Sequence, residues 1–317
     1  MSIGEERENG RYENLTKSYL LNCVKLQPEY IISYKITGEE GFMSNLNALA
    51  KARQDRGVLI AAHRGMAAGN IPCNSIAAFE TALCQGADML ETDLTVSGDG
   101  ELLIFHPKKE KQHLNKDVHL EQMTMEEIRQ LRYVNIDNDP TLCGIATLDE
   151  FLETFKNRCL INLDHGWKCM EQMIAAVRRH HMEEQILLKA PDKIQFAEQI
   201  AELAPDMMFM PIYKEVDTMT ETLERMNINF VGAELVFAKE DSILCSEEYI
   251  ESHHKKGRML WCNTILYSYK AQLSGGHTDD IAVAGDPDYG WGWAIDKGFD
   301  IIQTDWVMPL RHYINNR

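Results

Sequence analysis

An α/β barrel of eight strand–helix units is the fold this sequence predicts, on three observations. Short apolar, β-compatible runs alternate with segments of helical periodicity from Val58 to the C-terminus. Strand starts fall at Val58, Asp88, Cys159, Ile186, Met207, Phe230, Met259 and Asp300, one for each unit of a closed parallel barrel. Ionisable residues gather at the C-terminal ends of these runs, where barrels carry their chemistry. A doubly wound open sheet would bring a Gly-rich phosphate loop after the first strand, and the HRGMAAGN segment from His63 to Asn70 is not GxGxxG.

Each element has its own justification. Residues 1–56 read as a helical N-terminal extension, with helical spacing over 15–26 and 41–53 broken near Gly38–Gly41. Residues 57–317 form the barrel domain. Val58–His63 is a buried strand ending in polar residues. Ser75–Gln85 is a helix capped by Asn74 or Ser75 and stopped by Gly86. Asp88–Val96 is the second strand, and the Ser97–Gly100 turn folds Glu101–His106 back on it as a hairpin. Residues 107–146 are irregular and charged, with one helical stretch at 124–131, and read as an insertion rather than a barrel unit. Helices at 148–156, 168–180, 193–203, 218–226, 246–256 and 290–297 then alternate with the remaining strands.

The 317 residues carry a net charge of −17, which argues against a general nucleic-acid binder, since phosphate contacts need a basic surface. A small anionic substrate is compatible with it, because a bound divalent cation and a few local Lys or Arg residues reverse the field within one pocket. Eight cysteines are scattered without CxxC or Cys/His zinc spacing, as expected of reduced thiols in a cytoplasmic protein. The first residues lack a basic segment followed by an apolar one, and no apolar run is long enough to span a membrane.

The strand-end residues are His63-Arg64, Glu91-x-Asp93, Asp164-His165, Lys189, Glu234 and Trp261. Glu91 and Asp93 alternate onto one face of their strand. Two carboxylates converging there repel unless a cation lies between them, and oxygen-only ligation suits Mg²⁺ or Ca²⁺. His63 and His106 flank that pair, and two histidines beside a metal can divide phosphoryl transfer between a base or nucleophile and a proton donor for the leaving alkoxide. Arg64 can clamp a phosphate oxygen and Lys189 can add a point charge to the same group.

Taken in order, His63-Arg64-Gly65, Pro72-x-Asn74-Ser75, Ala78-Phe79, Gly86-Ala87-Asp88, Glu91-x-Asp93, Asp99-Gly100 and His106 resemble the N-terminal signature of the glycerophosphodiester phosphodiesterases. Thr147–Leu152, Trp261–Thr264 and Gly298–Asp305 continue the match, which runs from about 58 to 310. The resemblance implies a (β/α)8 TIM barrel with a small insertion after the second strand region. It also implies one divalent metal and hydrolysis of a glycerophosphodiester to glycerol 3-phosphate and an alcohol. His63 and His106 match the family's acid–base or nucleophile pair, and Glu91, Asp93 and Asp164 match its metal ligands. Three departures touch substrate choice and ligand reach. Pro107 follows His106 where the family has Asp. The segment Lys108–Lys111 replaces the usual loop. Asn162-Leu163-Asp164-His165-Gly166 stands where the family has Asn-Ile-Glu-x-Lys, so a shorter carboxylate must reach the metal and the usual Lys is absent.

Glu234 is expected to meet substrate hydroxyls or Lys189, and Trp261 to stack on the glycerol end or cap the barrel core. Asp305 reads as a turn cap. A rival reaction on the same barrel is lyase chemistry giving a cyclic phosphate, as in the similar phospholipase D toxins. A rival of another class is a catalytically idle phosphodiester-binding module. The N-terminal extension is a candidate surface for homo-oligomer packing.

Overall fold

The computed structural model describes residues 44–317. The helical reading of the earlier part of the extension, and any role for it in subunit packing, lies outside the described residues. What is described of it is a helix, Ser44–Arg56. Leu49 and Ala52 on this helix are buried, and Arg53 pairs with Asp300 at 2.9 Å.

Ten strands follow: β1 (Leu59–His63), β2 (Met89–Val96), β3 (Leu102–Ile104), β4 (Leu160–Asp164), β5 (Ile186–Pro191), β6 (Met208–Lys214), β7 (Asn229–Phe230), β8 (Gly232–Val236), β9 (Met259–Asn263) and β10 (Ile301–Thr304). Eight of them pair in parallel around a closed ring, β1-β2-β4-β5-β6-β8-β9-β10 and back to β1. The short β7 pairs with β6 just before β8. Gly232 opens β8 because the neighbouring strand passes so close that a Cβ there would lie 1.8 Å from the Met259 carbonyl oxygen. The barrel strands begin within about two residues of the positions expected from the sequence, the usual margin for such boundaries.

Side-chain alternation explains why the strands read as apolar and yet end in charges. One set, Ile60, Ala62, Leu90, Leu94, Ile161, Leu163, Leu188, Leu235, Leu260 and Ile302, packs outward into the core with helix residues such as Phe79, Phe151, Phe155 and Val177. The alternate set, His63, Glu91, Asp93, Asn162, Asp164, Lys189, Glu234, Trp261 and Gln303, therefore faces the barrel interior. Each fully buried Leu, Ile or Phe of the outer set contributes about 1.5–3 kcal/mol, so the charged interior is carried by the packing outside it.

The hairpin is present: β3 pairs antiparallel with β2 in the register Leu94 with Ile104. Residues 107–146 hold two short helices, Glu110–Leu114 and Met125–Ile128, around a small apolar cluster of their own. Leu103 and Phe105 share that cluster, which fixes the strand just before His106. The helix expected over 124–131 starts with a Thr124/Glu127 capping box but ends at Ile128. Three helices were not expected, Glu110–Leu114, Asp279–Ala284 and Val307–Asn315. The first two are short, and the third carries Pro309 in its first turn, a tolerated position that reads in sequence as a breaker.

Candidate active site

His63 is the last residue of β1 and lies beside Glu91 of β2 in the parallel register. The chain then turns sharply, with Arg64 at φ 56° and Gly65 at φ 75°. A Cβ on Gly65 would sit 2.7 Å from the Ala78 carbonyl carbon, so this turn presses on the helix Ile76–Cys84 and admits no side chain. The Arg64 amide donates to the Glu91 side-chain oxygen Oε2 at 3.1 Å, and its guanidinium pairs with Asp93 at 2.8 Å. Ser75 caps the helix by accepting from the Ala78 amide. Asn74 instead donates from Nδ2 to Asp93 at 2.9 Å and accepts from the Thr92 hydroxyl.

Glu91, Asp93 and Asp164 converge at the mouth of the barrel, with ligand atoms all within 4.8 Å of one another. Asp93 and Asp164 are register partners on β2 and β4. Burial and then the charge of Asp93 push the Glu91 carboxyl up to about 8. Burial also raises Asp164, against the pull of Lys189. Asp164 Oδ1 is buried with no hydrogen-bond partner. Three carboxylates with mutual repulsion and an orphaned oxygen fit a hard divalent cation, which would neutralise the cluster and use that lone pair.

The two candidate catalytic histidines flank this cluster. His63 Nδ1 is hydrogen-bonded to Asp305 at 2.8 Å, and Nε2 to the Tyr267 hydroxyl at 3.0 Å. Burial lowers the His63 pKa, but Asp305 and then Glu91 outweigh it and the net direction is up. His106 Nδ1 donates to the Pro107 carbonyl at 2.9 Å, leaving Nε2 turned toward Asp93 at 3.9 Å. Burial dominates there, and the His106 pKa is lowered. The two imidazoles are thus driven in opposite directions, which is how paired acid and base groups are separated. His165 follows Asp164 in a left-handed backbone conformation, its ring edge-on to His106 at 4.9 Å.

The other side of the barrel interior is closed by a buried polar network. Lys189 donates to Glu234 at 2.6 Å and lies 4.1 Å above the Trp261 ring. Asn263 donates to Glu234 at 2.7 Å, and the Trp261 indole donates to Asn263 at 2.9 Å. Glu234 thus meets Lys189, one of the partners expected for it. Trp261 is wholly buried, placed as an inner wall.

The structure thus brings His63, Arg64, Glu91, Asp93, His106 and Asp164 together, with Lys189, Glu234 and Trp261 behind them. Sequence reasoning missed three residues that touch the site. Asp305 was read as a turn cap but holds His63. Of the two cap candidates, Ser75 is the cap and Asn74 instead holds Asp93. Tyr267 stands in a loop with no periodicity or motif to mark it.

A family model described as a domain of unknown function, DUF4996, matches residues 209–314. The glycerophosphodiester phosphodiesterase of Caldanaerobacter subterraneus subsp. tengcongensis is 27% identical over 167 residues, covering 49% of this chain and 67% of that protein. A glycerophosphoryl diester phosphodiesterase structure from Parabacteroides distasonis superposes with a TM-score of 0.69 at 21% identity, covering 86% of this chain and 92% of that one. An Oleispira antarctica phosphodiesterase, solved with its product sn-glycerol-3-phosphate, gives 0.60 at 18% identity, covering 84% and 99%. At these identities the solved structures share the fold. The sequence match adds a similarity, at 27% identity over about half of this chain, to a curated glycerophosphodiester phosphodiesterase.

Proposed function

We propose that the chain is a metal-dependent glycerophosphodiester phosphodiesterase, releasing glycerol 3-phosphate and an alcohol. The supporting observation is the convergence of His63, Arg64 and three carboxylates at the C-terminal ends of adjacent strands β1, β2 and β4, with His106 brought beside them by the hairpin strand β3. Glu91, Asp93 and Asp164 would hold the cation, Mg²⁺ or Ca²⁺. When bound, it supplies positive charge to the phosphoryl oxygens as charge builds on them. Arg64, already neutralising Asp93, turns its remaining N–H donors to the same phosphate, and Lys189 adds positive potential from within the barrel. One of the pair His63 and His106 removes a proton from the attacking group or attacks directly, and the other protonates the leaving alkoxide. Asp305 keeps the His63 ring oriented with Nε2 toward the site.

A phosphorus-31 NMR time course with glycerophosphocholine, glycerophosphoethanolamine, glycerophosphoinositol and glycerophosphoglycerol tests this reading. The expected result is glycerol 3-phosphate appearing in the presence of Mg²⁺ or Ca²⁺ and suppressed by EDTA. His63→Ala and His106→Ala should each lower kcat/KM by about 100- to 10,000-fold. A cyclic phosphate product would replace hydrolysis by lyase chemistry. Turnover indifferent to both EDTA and His63→Ala would overturn the mechanism.

A further inference from the structure

Tyr267 belongs to the loop between β9 and the helix Asp279–Ala284, and 62% of its surface is exposed. Its hydroxyl nevertheless reaches into the site. It lies 3.0 Å from His63 Nε2 and accepts from Arg64 Nη2 at 3.4 Å. The guanidinium carbon stands 5.8 Å from the ring centroid, and the His63 ring meets the tyrosine edge-on at 5.7 Å. Because Asp305 occupies His63 Nδ1, Nε2 is the nitrogen left to face a substrate, and the Tyr267 hydroxyl is what it faces.

We propose that Tyr267 is a further substrate-binding residue, whose hydroxyl binds the same phosphoryl oxygen as Arg64 and whose exposed ring covers the mouth of the site. This rests on the phosphodiesterase reading and deepens it. The hydroxyl oxygen marks the point where an imidazole nitrogen and a guanidinium N–H converge, which is the environment of a phosphoryl oxygen in transfer. An arriving substrate oxygen and the hydroxyl cannot share that point. Displacing the hydroxyl by one oxygen diameter, about 3 Å, leaves it at hydrogen-bond distance from the newcomer. The exposed side chain has room for that step, and the loop beneath it is held by the Tyr269 hydroxyl donating to Asp280 at 2.8 Å.

The test titrates inorganic phosphate calorimetrically into wild type, Tyr267→Phe and Tyr267→Ala, with Mg²⁺ present, and measures kcat and KM separately on glycerophosphodiesters. Loss of one hydrogen bond to an anionic oxygen should weaken phosphate binding in Tyr267→Phe by about 10-fold or more and lower kcat/KM by about 10- to 100-fold. Thermal unfolding should be unchanged, since the ring is exposed. Tyr267→Phe binding phosphate as tightly as wild type, or more tightly, would overturn the proposal and leave the hydroxyl a mere plug. Wild type binding no phosphate would overturn it as well. Phosphate binding that depends on Tyr267 in a protein that hydrolyses no diester would sink the activity and leave the binding role standing.

Discussion

In metal-free protein, stability should fall as pH rises through the neutral range, and Glu91 is the reason. Its carboxyl is buried against Asp93 and pushed up from an ordinary 4.5 to about 8. Between those values the folded state keeps the proton and the unfolded state has lost it. The unfolded state then binds fewer protons, so stability declines with pH, by roughly 1 kcal/mol per unit over that window. For a domain of this size the decline amounts to about 2 °C in Tm per pH unit. Asp164 and His63 are also raised and act in the same direction, so the wild-type curve alone does not isolate Glu91. Glu91→Gln does, because the amide has the shape of the protonated acid and cannot ionise.

The assay is thermal unfolding of EDTA-treated wild type and Glu91→Gln from about pH 5 to about pH 8, repeated with Mg²⁺ and with Ca²⁺. Wild type should lose Tm with rising pH more steeply than Glu91→Gln. A cation at about a hundred times its dissociation constant should add about 3 kcal/mol, or about 5 °C, to wild type. The gain should grow with pH, because it replaces the proton. Glu91→Gln should lose most of that gain. Parallel curves for the two metal-free proteins would refute the account of Glu91, and a wild-type Tm indifferent to both cations would refute the carboxylate cluster as a metal site.

Two further outcomes follow from particular contacts. Asp305→Asn should lower kcat/KM by about 10- to 100-fold and move the His63 limb of the pH–rate profile to lower pH, because the carboxylate that orients the ring also holds its pKa up; its half-exposed side chain leaves Tm nearly unchanged. Lys189→Met should cost about 3–5 kcal/mol, read as a Tm loss of about 6–10 °C, by leaving Glu234 buried without its cation, and adding Glu234→Gln should recover part of the loss.

The barrel was legible because short apolar runs and helical spacing of period 3.6 are local properties. Strands such as Leu59–His63 and Leu160–Asp164 announce themselves within a few residues, and their terminal ionisable residues are conspicuous against the apolar runs before them. The carboxylate pair was legible for the same reason, since Glu91 and Asp93 share one strand. What escaped was whatever depends on ring closure. Asp305 and His63 are 242 residues apart, and nothing local distinguishes a carboxylate that caps a turn from one that orients a distant imidazole.

Asp279 shows how far that dependence reaches. It is buried in a helix that the sequence did not announce, and it accepts hydrogen bonds from the Thr264 hydroxyl, the Trp291 indole and the Thr304 hydroxyl at 2.7–2.8 Å. Its second oxygen accepts from the Asp305 amide at 2.8 Å. One carboxylate therefore ties the ends of β9 and β10 together and fixes the backbone from which Asp305 reaches His63. Such a residue has no signature of its own: it follows no motif and lies outside every strand. Its charge is tolerated in the interior only because four donors meet it, and those donors come from three separate stretches of chain that only the closed barrel assembles. The groups proposed to react stand at strand ends that a sequence can mark, whereas the contacts that hold them exist only as a product of the fold.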